Sequence, residues 1–250
     1  IYRLIMRPQD RNDFFNAFDR TPRNATFITV EGSDVEIRYF SQVRRRGPSS
    51  FSSTPPTFKL EIPRDRLWNG KSSMNMNSVS TWAQVLGAVV SRKAGLPAAD
   101  GRGVHFRFNG VNQSTAGNQM FGLYAAMDVL NDEWAEGLLP DDGEGNVYSK
   151  RRPECFFEYR GTDPITYINC AYDKESNGSE NDWTDLINMF AALDPDTTLE
   201  ANYVSAVKRN VNVENWMRHF AVLYLMHYNE PAPVRGADDD YTLYRGINDP

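Results

Sequence analysis

Three consecutive cations, Arg44-Arg45-Arg46, are followed by Gly47-Pro48-Ser49-Ser50. Guanidinium groups pair with phosphate oxygens through forked N–H donors, and a turn with open backbone N–H groups can wrap an anion. The stretch suits better a solvated strand end followed by a flexible connector, the commoner use of a charge run. It is not a Walker A sequence. A second group is acidic: Asp238-Asp239-Asp240 stands before an apolar alternating run, and Asn229-Glu230 precedes it. Magnesium takes hard oxygen ligands from one or two carboxylates plus phosphates, so carboxylates gathered at a helix end and a strand start have the right chemistry. A merely solvated acidic loop and a structural calcium site are the competing readings, although no EF-hand spacing is present. A third group is Asn75 and Asn77, alternating with Met74 and Met76. Alternate residues of a strand face one way, so two amides there can hold a loop by hydrogen bonds or serve as polar residues of an edge strand.

The elements that must position these groups follow from periodicity. Apolar residues alternate at Val35, Ile37 and Tyr39, at Phe58, Leu60 and Ile62, and at Val104, Phe106 and Phe108, which predicts half-buried strands. Residues 46–56 carry Gly47, Pro48, four serines and Pro55-Pro56 and read as a mobile flap between two strands. Thr81 and Gln84 form a capping-box pattern, Trp82, Val85, Leu86, Val89 and Val90 share a helical face, and Gly95 with Pro97 ends that helix. The run 120–127 suits a buried strand, 132–137 a short helix, and 147–152 a hairpin or edge strand. Past Glu180 the period becomes helical. Trp183, Leu186, Ile187 and Phe190 share one face, and Leu199, Tyr203, Val204 and Val207 share another behind Thr197/Glu200. Trp216, Phe220, Leu223, Leu225 and Met226 predict a central helix, and residues 241–245 a last strand. A strand-rich half with one helix followed by a helix-rich half is the α+β pattern, and two lobes meeting at a cleft fit it.

Composition narrows the function. With 27 Lys+Arg against 33 Asp+Glu the net charge is −6, which excludes a nucleic-acid binder held by bulk charge. At 40% hydrophobic residues over 250 positions the chain can bury a core, which excludes global disorder. No stretch approaches the roughly 18 apolar residues of a membrane-spanning helix. Cys155 and Cys170 lack the spacing of a zinc knuckle or redox pair, and read as packing residues or one disulfide. His105, His219 and His227 have no metal-ligand spacing.

Taken in order, several segments resemble the spore coat protein H (CotH) kinase family, bacterial proteins with an atypical protein-kinase-like fold. Tyr2-Arg3-Leu4 is similar to its opening strand, and Arg46-Gly47-Pro48-Ser49-Ser50 to its Arg-Gly-x-Ser-Ser loop. Thr57-Phe58-Lys59-Leu60 resembles its Ser-Phe-Lys-Ile strand, Met74-Asn75-Met76-Asn77 its Leu-Asn stretch, and Gly95-Leu96-Pro97-Ala98 its helix exit. Phe121-Gly122-Leu123-Tyr124 and Gly145-Asn146-Val147-Tyr148 are similar to its Gly-x-Tyr strand and Gly-Asn-Leu-Tyr hairpin, and residues 239–245 to the strand after its catalytic loop. Each motif is weak alone; their order and number carry the resemblance along nearly the whole chain.

The resemblance implies one CotH-like domain over residues 1–250, with lobes near 1–150 and 151–250, that transfers the γ-phosphoryl group of ATP to Ser or Thr of a protein substrate with Mg2+. Arg46, Ser49 and Ser50 would cover the phosphates, with Lys59 their basic partner and Asp128 orienting that lysine. Glu230 falls near the family's catalytic Asp, and Asp240 where a metal-binding Asn is usual. It also implies a bacterial envelope or extracellular location and further domains, with the family's Asp-Leu-Asp metal ligand falling beyond Pro250, so that the chain is a portion of a larger protein. Pro55-Pro56 stands where the family has a Lys pair, and proline offers neither charge nor N–H. Glu230 is one methylene longer than Asp, enough to displace a general base. These departures suit the alternative of a catalytically inactive CotH-like pseudokinase or surface-associated binding module.

Overall fold

Period-two alternation is realised as a sheet of nine strands. The structure, a computed structural model, describes residues 1–47, 49–152, 154–228 and 240–248. The chain divides into two units, Ile1–Arg92 with Ala98–Val129, and Lys93–Pro97 with Leu130–Pro250; the division falls ahead of residue 150 because the strand after Gly145 pairs only within the second unit.

In the first unit the strands are β1 (Tyr2–Ile5), β2 (Arg23–Glu31), β3 (Asp34–Arg45), β4 (Phe58–Glu61), β5 (Ser73–Asn77), β6 (Gly101–Val104), β7 (Phe106–Phe108), β8 (Val111–Asn112) and β9 (Tyr124–Asp128), with helices α1 (Pro8–Asn16) and α2 (Thr81–Lys93). They lie in the order β6-β9-β5-β4-β3-β2-β1-β7-β8. Among the described residues only β1 and β7 pair in parallel. His105 alone separates β6 from β7, and its carbonyl accepts the Tyr2 N–H at 2.9 Å. One short segment therefore joins both ends of the sheet, which curls around an aromatic core. Phe106 of β7 packs 5.3 Å from Phe58 of β4 and 5.5 Å from Tyr124 of β9, the edge-to-face and tilted geometry that aromatic rings prefer.

The inner faces of β4 and β7 are those expected, with Phe58, Leu60, Phe106 and Phe108 fully buried. Strand β3 reverses the expectation. Val35 and Tyr39 are 58% and 60% exposed, whereas Arg38 is buried. Its guanidinium reaches the Arg66 carbonyl at 3.1 Å and Thr29 Oγ1 at 3.1 Å and pairs with Glu36. A buried cation with that many acceptors is tolerated where an unpaired one is not.

Residues 49–56 are also not the mobile flap that the Ser and Pro content of 46–56 predicts. Thr57 Oγ1, Ser78 Oγ and Ser53 Oγ form a closed hydroxyl group, with Thr57 to Ser78 at 2.9 Å and Ser53 to Ser78 at 3.1 Å. Ser78 Oγ donates to the Pro55 carbonyl at 2.7 Å, and Asn118 Nδ2 to the Thr54 carbonyl at 2.7 Å. Pro55 and Pro56 are buried, and the Pro56 carbonyl accepts Tyr124 OH at 3.3 Å.

Helix α2 runs where predicted, but Thr81 does not close a capping box. Its Oγ1 donates to the Met120 carbonyl at 2.7 Å, while the Gln84 N–H bonds the Ser80 carbonyl at 3.1 Å. Burial falls on Thr81 and Ala88, not on the Trp82/Leu86 stripe.

The second unit holds α3 (Asp132–Leu138), β10 (Asn146–Lys150), α4 (Pro164–Ile168), β11 (Tyr172–Lys174), α5 (Thr184–Leu193), α6 (Glu200–Asn210), α7 (Val213–Leu225) and β12 (Tyr241–Arg245). Strand β10 is the centre of a three-stranded sheet, not an edge, because β11 and β12 both pair with it antiparallel. Helix α5 buries Leu186, Ile187 and Phe190 as predicted. Helix α7 is not central: it buries Val222 and Leu223 while Leu225 is 80% exposed. Cys155 and Cys170 are joined in a disulfide with Cα atoms 5.4 Å apart. Among the described residues no helix is long and apolar enough to cross a membrane.

Candidate functional site

Register decides which polar side chains share a surface. Across β3, β4 and β5, Arg44 stands opposite Lys59 and Lys59 opposite Asn75, while Phe58, Leu60, Met74 and Met76 point the other way into the core. The outer face of these strands thus carries Arg44, Lys59, Glu61, Asn75 and Asn77 by strict alternation. Arg46 extends the row beyond β3, its N–H bonded to the Thr57 carbonyl at 3.1 Å and its Nη1 donating to Asn77 Oδ1 at 3.0 Å. Glu61 is the carboxylate of this face, 3.3 Å from Arg44 Nε and 4.0 Å from Lys59 Nζ. Among the described residues of this outer face, three cations and two amides stand with one carboxylate, donors suited to a polyanion such as a triphosphate.

The triple arginine separates by the same parity. Arg45 faces inward and is buried. Its guanidinium donates to the carbonyls of Phe14 at 3.0 Å, Phe51 at 2.9 Å and Phe15 at 2.8 Å and stacks on Phe18. Burial lowers its pKa; its work is to tie α1 and the 46–57 connection to the sheet. Gly47 has φ +94°, and a Cβ there would overlap Ser50 Oγ, so glycine is required for Arg46 and Ser50 to flank this turn. Ser49 is exposed and Ser50 half-buried.

Asp128 is not brought to Lys59. It pairs across β5 with Met74, which places it on the opposite face of the sheet from Lys59. There its carboxylate bonds Lys71 Nζ and accepts the Asp100 N–H at 2.9 Å. Lys71 belongs to no motif, and only the β5–β9 register, a long-range pairing, reveals it as the partner. Asp240 belongs to the second unit, exposed, with φ +48° just before β12. Glu230, Asp238 and Asp239 lie outside the described residues.

The second unit has its own concave feature, a cavity of about 500 Å³ at the start of β10 and the end of β12. Asp132, Glu136, Glu144, Glu180 and Asp185 line it beside Arg245. The Asp185 carboxylate is held by Tyr148 OH at 2.6 Å, Asn146 Nδ2 at 2.8 Å and the Leu186 N–H at 2.7 Å. Burial first, then this carboxylate, pushes the Tyr148 phenol far up, so it stays a hydrogen-bond donor. Gly145 lets β10 approach β12, since a Cβ would overlap the Arg245 carbonyl. Among the described residues no group of three or more His, Cys, Asp and Glu converges to hold a metal ion.

A family model, CotH kinase protein, matches residues 43–248. The matched span takes in the β3–β5 face and the Asn146–Tyr148 strand, and begins after β1, α1, β2 and most of β3. No curated protein matches the chain.

Proposed function

The chain belongs to the CotH kinase family, and from that premise we propose that it is an ATP-dependent protein kinase with a two-lobe, protein-kinase-like fold. The γ-phosphoryl group of ATP passes to the hydroxyl of Ser or Thr on a protein substrate. The bond from the γ-phosphorus to the bridging oxygen breaks, the bond to the hydroxyl oxygen forms, ADP leaves, and the hydroxyl proton goes to a carboxylate. Glu230 is our assignment for that carboxylate and Asp240 for a metal contact. Mg2+, when bound with ATP, would neutralise charge on the β- and γ-phosphates.

The observation that carries the proposal is the row Arg44–Lys59–Asn75 with Arg46 beside it on one outer face. In phosphoryl transfer the protein chiefly positions the phosphates and offsets their charge. Lys59 supplies a point charge on a central strand, Arg46 a planar fork at the strand end, and Ser49 and Ser50 hydroxyls after the Gly47 turn. The Cys155–Cys170 bond supports an oxidising location, the bacterial envelope or exterior.

A specific observation favours a second reading. Asp128, the carboxylate that the family resemblance implied for Lys59, is engaged by Lys71 on the far face, an arrangement that a pseudokinase or binding module would tolerate. The test is a thermal shift with Mg-ATP, followed by transfer of labelled γ-phosphate to casein as a surrogate protein substrate. A saturable rise in Tm, lost in Lys59→Ala, with label on Ser or Thr supports the kinase. A rise without transfer supports the pseudokinase, and no rise in folded protein removes the nucleotide site.

A further inference from the structure

Asn77 and Gln84 form a relay that has only one possible sense. Arg46 Nη1 donates to Asn77 Oδ1 at 3.0 Å, Asn77 Nδ2 donates to Gln84 Oε1, and Gln84 Nε2 donates to the Val79 carbonyl at 2.8 Å. A guanidinium can only donate and a carbonyl can only accept, so turning either amide over would set donor against donor or acceptor against acceptor. The relay joins the phosphate-facing side of β3–β5 to the first turn of α2, whose Gln84 N–H is bonded in turn to the Ser80 carbonyl at 3.1 Å. Asn77 reaches it because strand parity puts it on the outer face, between inward Met76 and buried Ser78.

We propose that Asn77, held by Gln84, is a positioning residue that fixes the Arg46 guanidinium for the phosphates and couples its placement to helix α2. The inference rests on the nucleotide reading of the β3–β5 face. A guanidinium whose Nη1 is already held by an amide has less rotamer freedom to lose when an anion binds. Because α2 carries the other end, displacement of its first turn would release Arg46 without any contact between the helix and the ligand.

Two measurements on the full chain test this. The first is affinity for Mg-ATP and for adenosine. Asn77→Leu should weaken Mg-ATP binding about tenfold, as expected for loss of a hydrogen bond to a charged group, with adenosine affinity unchanged. Gln84→Leu should weaken it less, because Arg46 keeps its bond to Asn77. Adding Asn77→Leu to Arg46→Ala should cost nothing further. Native Mg-ATP affinity in Asn77→Leu, or fully additive losses in the double variant, overturns the proposal. The second measurement needs no nucleotide: amide hydrogen exchange should quicken at residues 46–50 and 79–84 together in Asn77→Leu and in Gln84→Leu. Unchanged exchange in both variants overturns the coupling whatever the nucleotide result. Quickened exchange in a chain that binds no nucleotide removes the phosphate reading and supports the link between Arg46 and α2.

Discussion

The connection 46–57 in the first unit and the connection 151–170 in the second are both held down, but the partners come from different distances. Ser78, Asn118 and Tyr124 tie the first through hydrogen bonds between neutral groups, beside the Arg45 guanidinium on the Phe51 carbonyl; Arg45 and Tyr124 stand on strands that must already be paired, and Ser78 directly follows another. The second is closed by its own cysteines, Cys155 and Cys170. Lys150 beside them is fully buried, bonding the Arg152 carbonyl at 2.6 Å and the Cys170 carbonyl and lying 5.2 Å over the Tyr172 ring. Order in the first is therefore borrowed from the sheet, whereas order in the second is local and covalent. A turn of the first kind can respond to changes in α2 or β5; a cross-linked loop of the second kind is suited to fixing a fold.

The largest effect should come from the covalent tie. A disulfide closing about fifteen residues stabilises by about 3 kcal/mol, chiefly by restricting the unfolded chain, and the two cysteines are 15 apart. Cys155→Ala/Cys170→Ala should lower the urea-derived unfolding free energy by about that amount and leave Mg-ATP affinity unchanged. A loss of affinity would break the comparison by making the second connection part of the proposed nucleotide site.

The hydrogen-bonded tie should give the next largest effect. Ser78→Ala removes the donor to the buried Pro55 carbonyl and a partner of both Thr57 and Ser53, at a cost of about 2 kcal/mol. Hydrogen exchange should quicken across 46–57 while 151–170 stays protected. Equal quickening in both connections would show that the two are not independently ordered.

These ties explain what was legible in the sequence. Periodicity located β4, β7 and the buried face of α5, because Phe58, Leu60, Phe106 and Phe190 have no alternative to burial. It placed the wrong face of β3 inward, since alternation gives a period and not a direction. Arg38 and Arg45 could be buried only because carbonyls from residues 66, 14, 15 and 51 meet them, and those meetings are tertiary. Composition made 46–57 look mobile for the same reason: serine and proline are turn residues until Ser78 and Tyr124 arrive. On the β3–β5 face, the outer side that Arg46 and Lys59 share was recoverable from strand parity. The Asp128–Lys71 pair was not, because it depends on β9 entering beside β5 in one register, and a slip of one residue would have turned Asp128 to the Lys59 face.

The smallest expected effect separates the units by pH. Burial lowers the pKa of His219 on α7 below the ordinary imidazole value of 6.5. The folded form then binds fewer protons than the unfolded form in the interval below that value, so folding stability rises with pH across it. Stability contributed by the neutral ring is complete above about pH 6.5 and is lost as pH falls toward the folded-state pKa. The Ser53–Thr57–Ser78 group contains no titrating atom, so the penalty of Ser78→Ala should be the same at pH 5.5 and 7.5. His219→Gln should flatten the acid limb of the unfolding free energy measured in urea between those two pH values. An unflattened limb would assign the acid sensitivity to carboxylates, and a Ser78→Ala penalty that grew on acidification would show the neutral tie to depend on a charge elsewhere in its own unit.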